Sequence, residues 1–201
     1  KEVPSIPFHD LSIVFYLFLD KDEHGQMTVL IRNDHLPIWN TDTSELYKLA
    51  IDNTPRLYPP CIRSMASLIN DMLFVNGTLI QPSFAAASPN ALDLADSPIP
   101  LSILTNTSGI FGASAMLYPG VLKEFSKKIG HDLIILPSSV HEVLLLPYDS
   151  TYSFQEMADM VKDVNEKCVP VEEQLSNQVY YYSSAQDSIF LGGDPASRIL
   201  S

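Results

Sequence analysis

Hydrophobic and polar positions divide this chain into short segments of two different periods. His9 to Leu19 is dense in Ile, Val, Phe and Tyr, the pattern of a strand buried on both faces. The polar run Asp20 to Gly25 follows, and Met27 to Arg32 returns, so a hairpin with a longer loop is expected. The acidic loop lacks the alternating ligands of an EF-hand and reads as a solvated turn. Asp42 and Glu45 form a capping-box pattern ahead of Leu46, Leu49 and Ala50, which predicts a helix stopped at Pro55. Pro59 and Pro60 then suit the first turn of a second helix carrying Ile62, Met65, Leu68, Ile69, Met72 and Leu73 on one stripe.

From Gly77 to Pro100 the periodicity disappears. Pro82, Pro89, Pro98 and Pro100 lie among Ala, Ser and Asp, which predicts a mobile linker between subregions. Leu101 to Thr105 resumes as a strand, Asn106 to Gly109 carries turn residues, and Ile110 to Leu117 is expected to return as a strand. Gly112 and Ala113 leave room there for a bulge or a close neighbour. Pro119 opens a helix with Val121, Leu122, Phe125 and Ile129 inward, and Gly130 is placed to cap its end. Asp132 to Leu136 and Val140 to Leu146 read as strands around a Pro137–Ser139 bend. Ser153 and Glu156 cap a helix bearing Met157, Met160, Val161, Val164 and Cys168. Gln178 to Tyr182 and Ser188 to Leu191 form a closing hairpin, and the tail from Gly192 reads as loose.

The expected fold is therefore α+β, a mostly antiparallel sheet flanked by at least four helices. The division expected is an N-terminal hairpin and helical pair (1–76), a linker (77–100), a C-terminal α+β subregion (101–191) that forms one compact unit with 1–76, and a tail (192–201).

Composition narrows the partners. With 46% hydrophobic and 18% charged residues in 201, the chain can bury a core. A formal net charge of -12 argues against nucleic acid, whose phosphates need clustered Lys and Arg. The longest apolar run, Ile13 to Leu19, is too short for a bilayer, and no signal peptide is evident. Cys61 and Cys168 fit no ligand or CxxC pattern and read as buried thiols in a reducing cytoplasm. The chain opens on Lys1, which fits a piece of a longer protein.

Reactive side chains gather in one place, at Ser138, Ser139, His141 and Glu142. A serine hydrolase would use Ser138 or Ser139 with His141 as base, and Asp10, Asp132 or Asp149 could orient the imidazole. In a strand from Val140, His141 and Glu142 point to opposite faces, and no GxSxG motif is present. The structural reading is a turn whose hydroxyls bond nearby backbone, with His141 and Glu142 clamping the bend. Adjacent pairs (His9 and Asp10, Asp34 and His35, His131 and Asp132) do not chelate through their own spacing, so no metal is expected. The SGIFGAS turn lacks a phosphate-loop lysine, so no nucleotide cofactor is expected either. A non-catalytic interaction module makes the fewest demands, and exposed tyrosines at Tyr180 to Tyr182 would give a protein partner an aromatic contact surface, the alternative being that two of them pack inward by strand alternation.

The runs NTPRLYPPCIRSM, LYPGVLKEF and LPSSVHEVLLLP, with the later VYYY strand, resemble an uncharacterised family of Gram-positive bacterial proteins catalogued as a domain of unknown function. The resemblance extends from about Phe8 to Leu191. It implies a cytoplasmic bacterial protein and a chain that is the C-terminal part of a longer family member. It supplies no catalytic residues.

Overall fold

The structure is a computed structural model that describes residues 2–22, 25–65, 101–137 and 139–193. Two compact units emerge, residues 1–57 and residues 58–201. The expected 77–100 linker, most of the helix expected over 60–73, and the tail from residue 194 lie outside the described residues.

In the first unit the expected single strand over His9–Leu19 is broken in two. Strands β1 (Ile6–Phe8) and β2 (Leu11–Ile13) pair antiparallel across a tight turn, where His9 takes a left-handed φ of 54°. Strands β3 (Tyr16–Asp22) and β4 (Gly25–Leu30) form the predicted hairpin, with an irregularity between Phe18 and Asp20. Burial on both faces is not what the structure gives: Tyr16, Leu17, Leu19, Met27 and Val29 are exposed. Among the described residues β3 and β4 form a sheet of two strands only, and such a ribbon buries little by itself.

A short helix α1 (His35–Trp39) ends on left-handed Asn40, and α2 spans Thr43–Leu57. The Asp42 cap forms, its carboxylate accepting the Glu45 N–H at 2.9 Å. Pro55 does not stop α2, which runs on to Leu57. A proline so near the end removes only one late hydrogen bond, and Arg56 folds its guanidinium back onto the Asp52 carbonyl at 3.0 Å. Phe15, Ile31 and Leu46 form the small core of this unit, with Ile6, Ile13, Leu36, Tyr47 and Ala50 against them.

The second unit is built on a six-stranded, wholly antiparallel sheet. Its strands are β5 (Pro60–Ser64), β6 (Ser102–Asn106), β7 (Leu133–Leu136), β8 (Val143–Pro147), β9 (Tyr180–Ser183) and β10 (Ser188–Leu191). They lie in the order β10–β9–β7–β8–β6–β5. Helix α3 spans Val121–Ile129 and α4 spans Phe154–Cys168. The mixed α/β architecture with a large antiparallel sheet is as expected; of the four α-helices among the described residues, two belong to each unit.

Two expected elements are replaced. Residues 60–64 form a strand, not a first helical turn, because Cys61 to Arg63 pair with β6 from Thr105 to Ile103. Pro60 sits at the first position of that outer strand, where a missing N–H is tolerated. Ile110 to Leu117 is not a strand. Phe111 turns into a left-handed conformation (φ 51°), and a 3-10 helix follows over Gly112–Leu117.

Both faces of β7 and β8 are buried. Ile134, Leu136, Leu144 and Leu146 pack with Val161 of α4 and Val179, together with Phe154, Met157 and Ala158. Leu133, Ile135, Val143 and Leu145 alternate to the opposite face and are fully buried. Met160, expected on the inner face of α4, is exposed, and Asn165 is buried in its stead. Cys168 and Cys61 are free thiols, each half-buried. Gly130 caps α3 in the left-handed region (φ 77°), and Ser153 caps α4 by accepting the Glu156 N–H at 3.3 Å, both as expected.

The expected aromatic contact surface at Tyr180 to Tyr182 is not there. β9 lies inside the sheet between β7 and β10, so alternation buries residues on both faces, and all three tyrosines are buried. The Tyr182 hydroxyl donates to Asp187 at 2.7 Å, and Asp187 pairs with Lys123 of α3 at 2.9 Å. Among the described residues no helix is long and apolar enough to cross a membrane.

Candidate functional site

The Ser138–Glu142 segment joins β7 to β8, and Ser138 lies outside the described residues. The strand expected from Val140 begins only at Val143. His141 and Glu142 therefore precede the ladder, and strand alternation does not set their directions. Backbone pairing from other segments holds them instead. Val140 donates its N–H to the Glu173 carbonyl at 2.9 Å, and Ala113 donates to the Val140 carbonyl at 3.2 Å. The Thr105 hydroxyl donates to the His141 carbonyl at 2.8 Å.

The side chains are engaged locally. The buried Ser139 hydroxyl accepts the main-chain N–H of His141 at 3.0 Å. The His141 ring accepts the Phe111 N–H at Nδ1 (3.3 Å) and stacks on the Phe111 ring with centroids 6.1 Å apart. Its Nε2 faces Glu173 Oε1 at 3.8 Å. Burial raises the Glu142 carboxyl above the ordinary carboxylate range; His141 opposes this and Glu173 adds to it. Imidazole and Ser139 hydroxyl thus serve different partners.

A second arrangement has more room. On the face opposite α4, the sheet register aligns Pro60, Ile62 and Ser64 of β5 with Asn106, Leu104 and Ser102 of β6, and Ser102 with Leu145 of β8. Pro60, Ile62, Ser64, Ser102 and Pro147 line one side of an open groove of about 790 Å³. Helix α3 lines it with Val121, Glu124, Phe125, Lys128 and Ile129, a single stripe at helical spacing. His131, Tyr148, Asp149 and Tyr152 complete it. The volume falls in the range of small-ligand sites, and the lining mixes apolar side chains with Ser64, Ser102, Glu124, Lys128, His131 and Asp149.

The polar lining differs in its commitments. Asp149 accepts the Thr151 N–H and hydroxyl, each at 2.8 Å, and these bonds lower its carboxyl below the ordinary range. Glu124 and Lys128 lie at an i,i+4 spacing along the groove but form no ion pair. Asp52 with Arg56, Lys162 with Glu166 and Asp163 with Lys167 do close at the same spacing on the other helices.

A family model described as "Family of unknown function (DUF5688)" matches residues 1–184. This chain belongs to the DUF5688 family. The matched span takes in both units as far as β9, the His141 bend and every residue lining the groove. No curated protein matches the DUF5688 chain, and no solved structure does.

Sequence reasoning found the bend because its residues are contiguous. It missed the groove because Pro60, Ser102, Phe125 and Asp149 come together only through the strand order. The legible signal was the α3 stripe, whose Val121, Phe125 and Ile129 read as inward-facing core. Among the described residues of this DUF5688 chain, no three His, Cys, Asp or Glu side chains are placed to hold a metal ion.

Proposed function

We propose that this chain is a non-catalytic binding domain of a cytoplasmic bacterial protein, and that its ligand seats in the groove between α3 and the β5–β6–β8 face. The observation that carries this reading is the groove itself. It is an open concavity walled by β5, β6 and α3, with apolar side chains among polar ones and charged groups left open along one helix. The two free thiols accord with a reducing compartment.

A thermal-shift screen of small molecules and short peptides against the intact chain tests it. The expected result is at least one ligand that raises Tm and loses its effect in Ser102→Trp, whose indole would fill the groove. If no ligand depends on Ser102 in this way, the proposal fails.

The runner-up is a small serine hydrolase using Ser138 or Ser139 with His141. The engagement of the Ser139 hydroxyl with main chain, and of the imidazole with Phe111, supports the non-catalytic reading. Fluorophosphonate labelling separates the two. Labelling abolished by Ser138→Ala or Ser139→Ala would establish the hydrolase.

A further inference from the structure

Resting on the binding reading above, we propose that the α3 groove takes a short apolar peptide, two or three residues long, with both its amino and carboxyl termini free.

Charge complementarity argues for the ends. Glu124 and Lys128 both line the groove and both are exposed, yet they do not neutralise each other. Two charged groups close by are already used: Lys123 pairs with Asp187, and Asp149 holds Thr151. One carboxylate and one ammonium therefore remain on the same helical stripe, directed at the same concavity. A ligand that satisfies both carries a cation and an anion on one small body.

Spacing argues for the length. Residues four apart on a helix have Cβ atoms about 5–6 Å apart, and the two side chains can splay from there. Two residues of extended chain span about 7 Å between their termini. A dipeptide or tripeptide thus places its ammonium at Glu124 and its carboxylate at Lys128. Phe125, on the same stripe, and Ile62, on the opposite wall, offer apolar surface to its side chains. A longer peptide would carry one terminus past the pair, and a neutral apolar molecule would leave both charges unmatched.

The test is an amide-shift NMR titration of the intact chain with the dipeptide phenylalanyl-leucine. Saturable shifts are expected at Ser102, Glu124, Lys128 and Tyr148. N-acetylation of the peptide should weaken binding about tenfold or more, the scale of a lost charge-assisted hydrogen bond. Glu124→Gln should do the same, and the two changes together should cost no more than either alone. C-amidation and Lys128→Gln should form a second such pair. Both substitutions lie on an exposed helix face and keep helix propensity, so the fold should survive them.

If the doubly blocked dipeptide binds the groove as well as the free one, the peptide-terminus assignment is overturned while the groove remains a binding site. If the dipeptide gives no groove shifts but some other ligand shows the Ser102→Trp dependence, the ligand class alone is overturned. If neither appears, both this inference and the binding reading fall.

Discussion

Single residues show where the second unit is intolerant of change. A methyl group added at Gly112 would lie 2.1 Å from Thr105 Oγ1, 2.3 Å from the His141 carbonyl and 2.9 Å from the Asn106 nitrogen. Two of those neighbours are backbone, so rotating the threonine cannot relieve the clash. Gly112→Ala should cost about 3 kcal/mol, the upper range for overpacking, and lower Tm by roughly 6–12 °C. Thermal melts check this, and Thr105→Ala added to Gly112→Ala should restore little of the loss.

Glu142 behaves in the opposite sense. Burial raises its carboxyl, so its favourable contribution is complete below the unfolded value near pH 4.3 and is lost as pH rises through the higher folded value. Glu142→Gln should therefore stabilise the protein at pH 7, by about 0.5–1 kcal/mol, a small fraction of the cost of burying a charge. Urea melts at pH 7 and pH 4 check it: the gain should be present at pH 7 and shrink towards zero at pH 4. An unchanged or lower stability at pH 7 would show that Glu142 is held by its charge.

At the scale of elements, Asp132 joins the end of β7 to the β9–β10 hairpin. Its carboxylate accepts the Ser184 N–H at 2.9 Å, the Ser184 hydroxyl at 2.6 Å and the Tyr181 hydroxyl. Burial alone would raise this carboxyl, but those donors and the nearby His131 outweigh it and hold it below the ordinary range. Burial and the Asp132 bond raise the Tyr181 phenol. The stabilisation from Asp132 is complete above about pH 4 and lost as pH falls through its lower folded value. That from Tyr181 is complete below about pH 10 and lost above it. Asp132→Ala should cost about 2–3 kcal/mol at pH 7, since it leaves a buried tyrosine hydroxyl without its acceptor. In melts across pH the gap from wild type should narrow as pH falls below about 4 and the native carboxyl takes up its proton.

Elements also mark how far the sequence could be read. The Asp42 and Ser153 caps, the Asn106 turn and the Gly130 helix end were all legible, because each is settled by residues within four positions. The Asn106 carboxamide shows this well, accepting the N–H groups of Ser108 and Gly109. Elements whose state depends on a distant partner were misread. Ile62 and Met65 carry a helical spacing, but β6 takes residues 60–64 as a strand. Phe111 to Leu117 is apolar enough for a strand, but Gly112 must fit between Thr105 and His141, which diverts the backbone. The bend was read from contiguous residues, whereas the groove depends on a strand order that no local pattern encodes.

At the scale of the whole molecule, the division between units falls after Leu57. The reason lies in β5. It pairs with β6 along five residues, from Pro60 with Asn106 to Ser64 with Ser102, and Thr107 donates to the Pro59 carbonyl at 2.9 Å. Removing β5 would leave β6 at the sheet edge, expose Leu104, which is fully buried, and take one wall from the groove. A fragment of residues 58–201 should therefore fold alone and melt cooperatively, whereas 66–201 should lose at least 10 °C in Tm or fail to fold. Residues 1–57 have only three buried core side chains among those described, too few for a stable domain of that length. That fragment should give no cooperative transition by circular dichroism. The three fragments together test whether the C-terminal sheet carries its own stability. A non-cooperative 58–201 fragment, or a 66–201 fragment as stable as it, would show that the boundary after Leu57 does not separate independent folding units.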